Sequence, residues 1–83
     1  MKQTQVAKLR KYVDRHDFFT LKTVQKITNA NNCYSIIHDL RKEIYIASMS
    51  VKNNNGVRFN VYYEPIARLM LPSYLRKHNL ELA

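Results

Sequence analysis

Apolar side chains recur every three or four residues along the first half of the chain, which predicts three short amphipathic helices. The apolar stripes are formed by Val6, Leu9 and Val13, by Leu21, Val24 and Ile27, and by Cys33, Ile36, Ile37 and Leu40. Thr20 precedes the second helix and can accept a hydrogen bond from one of its first amides, as an N-cap does. Asn29 follows that helix and tolerates the left-handed conformation that ends many helices. The first helix is predicted over residues 3–16. The other two lie within residues 18–42, where a turn this short makes them cross steeply.

After residue 42 the apolar period changes to two, which predicts a β-hairpin with strands in residues 44–51 and 57–63. The Asn55-Gly56 pair is common in two-residue turns, but such a turn would mix apolar and polar side chains on each face. A three-residue loop of residues 54–56, with Gly56 left-handed, keeps the two kinds apart. This register pairs Val51 with Phe59, Met49 with Val61 and Ala47 with Tyr63, and it places Ser50, Lys52, Arg58 and Asn60 on the other face.

The segments on either side of the third helix predict how the hairpin joins the rest of the chain. Phe18 and Phe19 interrupt the helical pattern, which predicts a short strand that can pair with the hairpin. Ile44 and Ile46 have the opposite parity to Ala47, so we predict a bulge or twist near Ala47. The predicted order is helix, short strand, helix, turn, helix and hairpin.

The net charge of the chain indicates the class of molecule that it binds. The chain has 83 residues, which is room for one domain with a modest core, and its 14 Lys and Arg against 6 Asp and Glu give a net charge of +8. Such a charge favours a polyanion, with nucleic acid as the first candidate and an anionic membrane surface as the second. No apolar run approaches the ~20 residues of a membrane span, and no secretory leader is recognisable. A single cysteine forms no intramolecular disulfide, so we expect a protein of the reducing cytoplasm.

The order of elements and the segment from Cys33 to Lys42, CYSIIHDLRK, followed by Ile44, resemble the winged helix-turn-helix DNA-binding proteins. The likeness is greatest to the small ones of phages and mobile elements, which implies the cytoplasm of a bacterial cell or a phage-infected host. It implies an α+β fold, a winged helix-turn-helix with a three-helix core and a β-hairpin wing in residues 1–63, followed by a short C-terminal helical tail in residues 64–83. It also implies binding to double-stranded DNA, with the third helix in the major groove and the wing on the neighbouring backbone or minor groove.

The polar side chains of the second and third helices are the candidate DNA contacts. Lys22 lies in the first turn of its helix, where the helix dipole disfavours a cation unless an anion approaches, so we expect Lys22 to contact phosphate together with Lys26. On the exposed face of the third helix, hydrogen bonds to base edges are the expected role of Asn31, Ser35 and His38. Tyr34 could pack on a thymine methyl or contact a phosphate, and Arg41 and Lys42 are expected on the DNA backbone. The alternative for each residue is a merely solvated polar face.

The hairpin tip carries the remaining candidates. Lys52 and Arg58 can reach a minor groove or the flanking phosphates, with Asn54 and its neighbours Asn53 and Asn55 as additional donors. The alternative interpretation is that these side chains serve only to keep the loop soluble.

Catalytic patterns are absent from the sequence. Cys33 belongs to an apolar stripe, and the three histidines have no metal-ligand spacing to each other or to Cys33. The single glycine excludes a phosphate-binding loop, and the carboxylates show no pairing for acid–base chemistry. We therefore expect no enzymatic activity, no cofactor, no metal and no small-molecule substrate.

The C-terminal tail, residues 64–83, bears on whether the protein is a monomer or a dimer. Pro65 suits the first turn of a helix, and Pro72 is predicted to end or kink it. Its apolar side would consist of Ile66, Leu69 and Met70, with Tyr74, Leu75, Leu80 and Leu82 following. The tail either folds back on the first helix or forms a dimer interface. We favour a homodimer, because one small module has a limited contact area on DNA.

These features predict a transcriptional regulator of a phage or mobile element, most simply a repressor that occupies a promoter. An architectural accessory factor in recombination, similar to the winged-helix excisionases, is the alternative within DNA binding. A protein-interaction module is the alternative outside it, since Lys8, Lys11 and Arg15 share one face of the first helix and could contact an acidic protein.

Overall fold

Four α-helices and one antiparallel four-stranded sheet form the α+β fold of this protein in a computed structural model, which describes residues 4–83. The elements, in chain order, are α1 (Gln5–Arg15), β1 (Phe18–Phe19), α2 (Leu21–Thr28), α3 (Cys33–Leu40), β2 (Ala47–Lys52), β3 (Arg58–Tyr63), a 3₁₀ helix (Pro65–Met70), α4 (Leu71–Lys77) and β4 (Glu81–Leu82). The α+β class and the order of the first six elements are confirmed. Gln3, the predicted start of the first helix, lies outside the described residues.

Side chains cap the first three helices. Thr4 accepts a hydrogen bond from the amide of Ala7 at 3.1 Å and begins α1. Thr20 caps α2 as predicted and forms a reciprocal pair with Thr23, and Asn29 ends α2 with a φ of 54°. Asn32, which the sequence analysis did not assign to a role, caps α3 by accepting a hydrogen bond from the amide of Ser35 at 3.2 Å. Polar capping therefore fixes where α2 ends and α3 begins.

The predicted register of the hairpin is confirmed. Val51 pairs with Phe59, Met49 with Val61 and Ala47 with Tyr63. The amide of Asn53 donates to the carbonyl oxygen of Val57 at 3.0 Å, which leaves a three-residue loop, and Gly56 adopts a φ of 79°. The Asn53 side chain further accepts hydrogen bonds from the amides of Asn55 and Val57, so the loop is held by its own side chain.

The sheet has the strand order β1-β3-β2-β4. The predicted pairing of the short strand is confirmed, with Phe18 opposite Tyr63 and Phe19 opposite Tyr62. The predicted bulge near Ala47 is wrong, because β2 begins at Ala47 and pairs regularly to its end. Ile44 and Ile46 lie before the strand and pack with the helices, so their different parity requires no irregularity in the sheet.

Two hydrophobic clusters cover the two faces of the sheet. The first joins α1, α2 and α3 to the sheet through Phe19 and Tyr62, and it includes Ile46 just before β2. The second lies on the opposite face, where Phe18, Val51, Val61 and Tyr63 contact Ala67 and Leu71 from the C-terminal segment. Neighbouring residues such as Phe18 and Phe19 therefore belong to different clusters, as the alternation of a strand requires.

The C-terminal segment differs from its prediction in two respects. The helix that Pro65 begins ends at Met70, just before Pro72, as predicted. A further helix that was not predicted, α4, follows at once, and Pro72 lies in its first turn, where a missing amide costs little. The predicted apolar side is wrong: Ala67 and Leu71 are buried, whereas Ile66 and Leu69 remain 87% and 90% exposed. A 3₁₀ helix has three residues per turn, so Ile66 and Leu69 share one outward side.

The tail folds back on the sheet, with contacts to α1 limited to its edge. Tyr74 stacks on Phe18 with ring centroids 4.5 Å apart, and β4 pairs with β2 through Leu82 opposite Val51. This last strand was not predicted. Among residues 4–83, no helix has both the length and the apolar character needed to cross a membrane.

Candidate nucleic-acid interface

The polar face of the hairpin carries two cations side by side. Lys52 and Arg58 are directly opposite each other in the antiparallel register, so their side chains project from the same face of the sheet. Glu81 of β4 lies on the other side of Lys52 and can compensate its charge, but Arg58 has no such neighbour in β1, whose two residues pair further along β3. Like charges in opposite positions destabilise a sheet, so this arrangement is favourable only when an anion approaches.

Arg41 lies where α3 meets the same sheet face. Its guanidinium is 5.9 Å from the ring centre of Tyr62, and its Nε donates to the carbonyl oxygen of Ile46 at 3.2 Å. Tyr62, Asn60 and Arg58 alternate along β3, so their side chains are on one face. We call the set formed by Arg41, Ser50, Lys52, Arg58 and Asn60 the basic stripe. It runs for about 14 Å along β3 from Tyr62 to Arg58.

The first turn of α2 faces the hairpin across an open cleft. Lys22 is exposed there, and no acidic residue occupies this turn. Lys22 lines the cleft, of about 440 Å³, together with Thr20 on its own side and Asn53 and Asn60 on the hairpin side. No carboxylate is among the residues that line this cleft. Asn60 also belongs to the basic stripe, so the cleft places Lys22 near the hairpin. The residues that line the cleft are nevertheless largely apolar or aromatic, and they include Leu21, Val57, Phe59, Tyr74 and Leu80.

Two further predicted contact residues, Lys26 and Asn54, lie near the cleft and the hairpin. Lys26 is exposed one helical turn after Lys22 on α2, where the two cations share a side of the helix. Asn54 is exposed at the tip of the hairpin, next to the Asn53 side chain that organises the loop.

The exposed side of α3 is divided between two environments. Tyr34 is 63% exposed and His38 is exposed one turn later, so both side chains project from the helix into solvent. Ser35 and Asn31 instead line a cleft with Asp39 and Glu43. Those carboxylates oppose an anion, so Ser35 and Asn31 are less favourably placed for DNA than Tyr34 and His38.

Two predicted placements on α3 are wrong in detail. Asn31 does not lie on the helical face, because α3 begins at Cys33 and Asn32 is its cap. Lys42 follows the helix in a turn and lies 3.6 Å from Asp39, so its charge is partly compensated before any DNA contact. Sequence reasoning could have found the cap, since Asn32 stands three residues before the Ser35 amide that it binds.

Two tyrosine–histidine pairs lie at the edge where α4 approaches α1. Tyr12 stacks on His16 with centroids 4.1 Å apart, and Tyr74 contacts His78 at 4.4 Å. Burial raises the pKa of the Tyr74 phenol above its ordinary value of 10.0, and the nearby Tyr12 adds to this effect. Within residues 4–83, no group of three or more His, Cys, Asp and Glu side chains is arranged to hold a metal ion.

Cys33 is half-buried and packs against the helical cluster, with its Sγ 3.9 Å from the carbonyl oxygen of Ala30. Its contacts are those of a core residue.

The chain matches no protein-family model, and neither a curated protein nor a solved structure is significantly similar to it. The functional argument therefore depends on the geometry of the polar surface.

Proposed function

We propose that this chain is a winged helix-turn-helix protein that binds double-stranded DNA. The observation that carries the proposal is the pair of cations in the basic stripe, Lys52 and Arg58, which lie opposite each other in β2 and β3. The nearby cleft adds Lys22 and is lined by no carboxylate. Cations held side by side are unfavourable in the free protein and favourable against phosphates. This distinguishes the surface from an ordinary solvated face, on which opposite charges alternate.

Each part of this surface has a defined role on a duplex. Lys22 and Lys26 contact one phosphate strand, aided by the amides of the first turn of α2. The basic stripe follows the backbone beside the hairpin, and Asn54 at its tip reaches toward the minor groove. Arg41 donates its remaining N–H groups to a phosphate, because its Nε is already bonded to Ile46.

Helix α3 supplies the sequence preference. Tyr34 projects from the first turn of α3, the part of a recognition helix that contacts base edges in the major groove, and His38 follows one turn later. Ser35 lies beside them and adds a hydroxyl that can donate or accept a hydrogen bond. Asp39 and Glu43 line a cleft next to Ser35, where their carboxylates disfavour a phosphate and so restrict the orientation of the duplex.

The simplest role for such a protein is a transcriptional regulator, a repressor of a phage or mobile element that acts by occupying a promoter. It requires no cofactor and no catalysis. The cations of the stripe, of which Arg41 and Arg58 are exposed and Lys52 is half-buried, suit contacts with the DNA backbone and favour DNA over an acidic protein as the partner.

The experiment is a fluorescence-anisotropy titration of random duplex DNA across a salt series. Each phosphate contact contributes about −0.9 to the slope of log K against log[salt]. Lys22→Ala should make the slope shallower by about 0.9, whereas the matched control Lys11→Ala, which removes an exposed cation from α1, should leave it unchanged. Equal slopes for both variants would contradict the assignment of Lys22.

A further inference from the structure

One edge of the hairpin is open next to the cleft at the start of α2. β1 pairs with β3 only at Tyr62 and Tyr63, and the chain then turns away into α2. Within residues 4–83, the rest of β3, residues 58–61, therefore has a neighbouring strand on one side only, which is β2. We call this the free edge of β3. The cleft is lined on the hairpin side by Asn53, Val57, Phe59 and Asn60.

The hydrogen-bond pattern of the hairpin shows which backbone groups the free edge presents. The amide of Asn53 donates to the carbonyl oxygen of Val57 at 3.0 Å, so these two residues form a hydrogen-bonded pair. Because such pairs alternate along an antiparallel ladder, the amide and carbonyl groups of Arg58 and Asn60 point away from β2. Two donors and two acceptors of the backbone are therefore available to a further strand.

The opposite edge of the same hairpin shows which kind of strand it accepts. That edge belongs to β2, and β4 pairs with it. Glu81 of β4 lies opposite Lys52, so a carboxylate faces the cation of β2. Leu82 lies opposite Val51, so an apolar side chain faces the buried valine. A strand that alternates acidic and apolar residues therefore matches this hairpin.

The free edge of β3 repeats the pattern of β2. Arg58 is its cation and Phe59 its apolar residue, and they lie directly opposite the corresponding cation and valine of β2. An added strand would place an acidic side chain opposite Arg58, where opposite charges attract. Its next side chain would lie on the other face of the sheet, opposite Phe59 and toward Tyr74 and Leu80, which line the same cleft.

The charge of this edge indicates which partner supplies the strand. The basic residues Lys22 and His78 line the cleft, and no carboxylate lines it. A second copy that offered the same edge would bring two Arg58 side chains together, and two chains of charge +8 repel each other. An acidic segment of another protein meets no such repulsion.

We infer that the free edge of β3 binds an extended acidic peptide segment of another protein, which adds a strand to the sheet. Its backbone pairs with Arg58 and Asn60, its acidic residues lie opposite these two, and its apolar residue lies opposite Phe59. The bound segment neutralises Arg58 and therefore weakens duplex binding, a consequence that rests on the proposed function.

The test uses the fluorescein-labelled peptide Ser-Glu-Leu-Glu-Ser in anisotropy titrations with the full chain. In the inferred register both Glu amides face β3, whereas the Leu amide faces away from it. N-methylation of both Glu amides removes two hydrogen-bond donors without changing charge or side chains. N-methylation of the Leu amide is the matched control.

The parent peptide should bind with a Kd below about 1 mM. N-methylation of both Glu amides should weaken binding by about 5- to 150-fold, the loss of two hydrogen bonds, and N-methylation of the Leu amide should leave it unchanged. A weaker Kd for the parent peptide, or equal affinities of the two methylated peptides, would overturn the inference.

A pair of protein variants tests the position of the site. Arg58→Glu should weaken binding of the parent peptide by about 3- to 30-fold, because attraction becomes repulsion. Lys11→Glu changes the net charge equally on α1 and should leave binding unchanged at physiological salt, where the Debye length is about 8 Å. Arg58 is exposed and its replacement by Glu attracts Lys52, so the fold is retained. An equal loss for both variants would overturn the assignment to this edge.

Titration of duplex DNA with and without saturating parent peptide tests the consequence for DNA binding. The peptide should lower the affinity for duplex. Unchanged affinity would overturn the competition while leaving the strand pairing intact. Absence of duplex binding without any peptide would overturn the proposed function, whatever the peptide titrations show.

Discussion

The opposed cations of the hairpin predict that stability and DNA affinity respond in opposite directions to one substitution. Arg58→Gln removes the repulsion with Lys52, and Arg58 has no acidic residue opposite it in the sheet. Cross-strand pairs of this kind contribute about 0.2–1 kcal/mol. A gain of about 0.5 kcal/mol raises the Tm of a domain of this size by about 2–4 °C.

Lys52→Gln is the matched control for this prediction. It removes the same repulsion but also the attraction between Lys52 and Glu81, which lie opposite each other in β2 and β4. The two losses offset each other, so the free energy of unfolding should change by less than about 0.3 kcal/mol. Both variants lose one cation from the basic stripe, and each should flatten the salt slope of DNA binding by about 0.9.

Thermal unfolding followed by circular dichroism at low and high salt measures the stability change. The gain for Arg58→Gln should disappear near 1 M salt, where the Debye length is about 3 Å. A lower Tm for Arg58→Gln at low salt, or an equal gain for Lys52→Gln, would refute the argument that the pair is unfavourable in the free protein.

Two further predictions concern the tail and α3. The raised pKa of Tyr74 means that the folded state favours its neutral form, so this contribution to stability is complete below pH 10.0 and is lost as pH rises through the folded pKa. Urea unfolding at pH 9 and above should therefore show a smaller alkaline loss of stability for Tyr74→Phe than for wild type, and an equal loss would contradict the assignment. For α3, His38→Ala should retain affinity for random duplex within about threefold but lose about 1–3 kcal/mol of preference for duplexes enriched from a random pool. An unchanged preference in competition titrations would exclude His38 from base reading.

Local signals accounted for the helices and the hairpin. The spacing of apolar side chains, the Thr20 cap and the left-handed Asn29 each act within a few residues, so the sequence alone was sufficient for them. The hairpin register followed from the same reasoning, because only one loop length sorts apolar from polar side chains. The winged-helix class and its DNA-binding role stay predictions.

The structure of the C-terminal tail could not be predicted from local signals in the sequence. Its 3₁₀ helix, the start of α4 at Pro72 and the pairing of β4 with β2 depend on contacts with a sheet formed far away in the sequence. The periodicity of Ile66, Leu69 and Met70 resembles a buried stripe, yet Ala67 and Leu71 are the buried residues. Pattern alone does not reveal which side of a short helix meets the core.

In the candidate site too, some features could be predicted from the sequence and others could not. Lys22 and the hairpin cations could each be identified from position, but their common surface depends on how α2 approaches β3. The compensation of Lys42 by Asp39 was accessible from their spacing of three residues. Glu81 beside Lys52 was not, because β4 gave no local signal.

The most direct test of DNA binding is the salt dependence of wild-type affinity for random duplex, measured by anisotropy. Five cations are available for phosphate contact: Lys22, Lys26, Arg41, Lys52 and Arg58. If three to all five bind phosphates, log K should fall linearly with log[salt] with a slope of about −2.7 to −4.5. A slope near zero, or no binding at low salt, would contradict the account and direct the search to a protein partner.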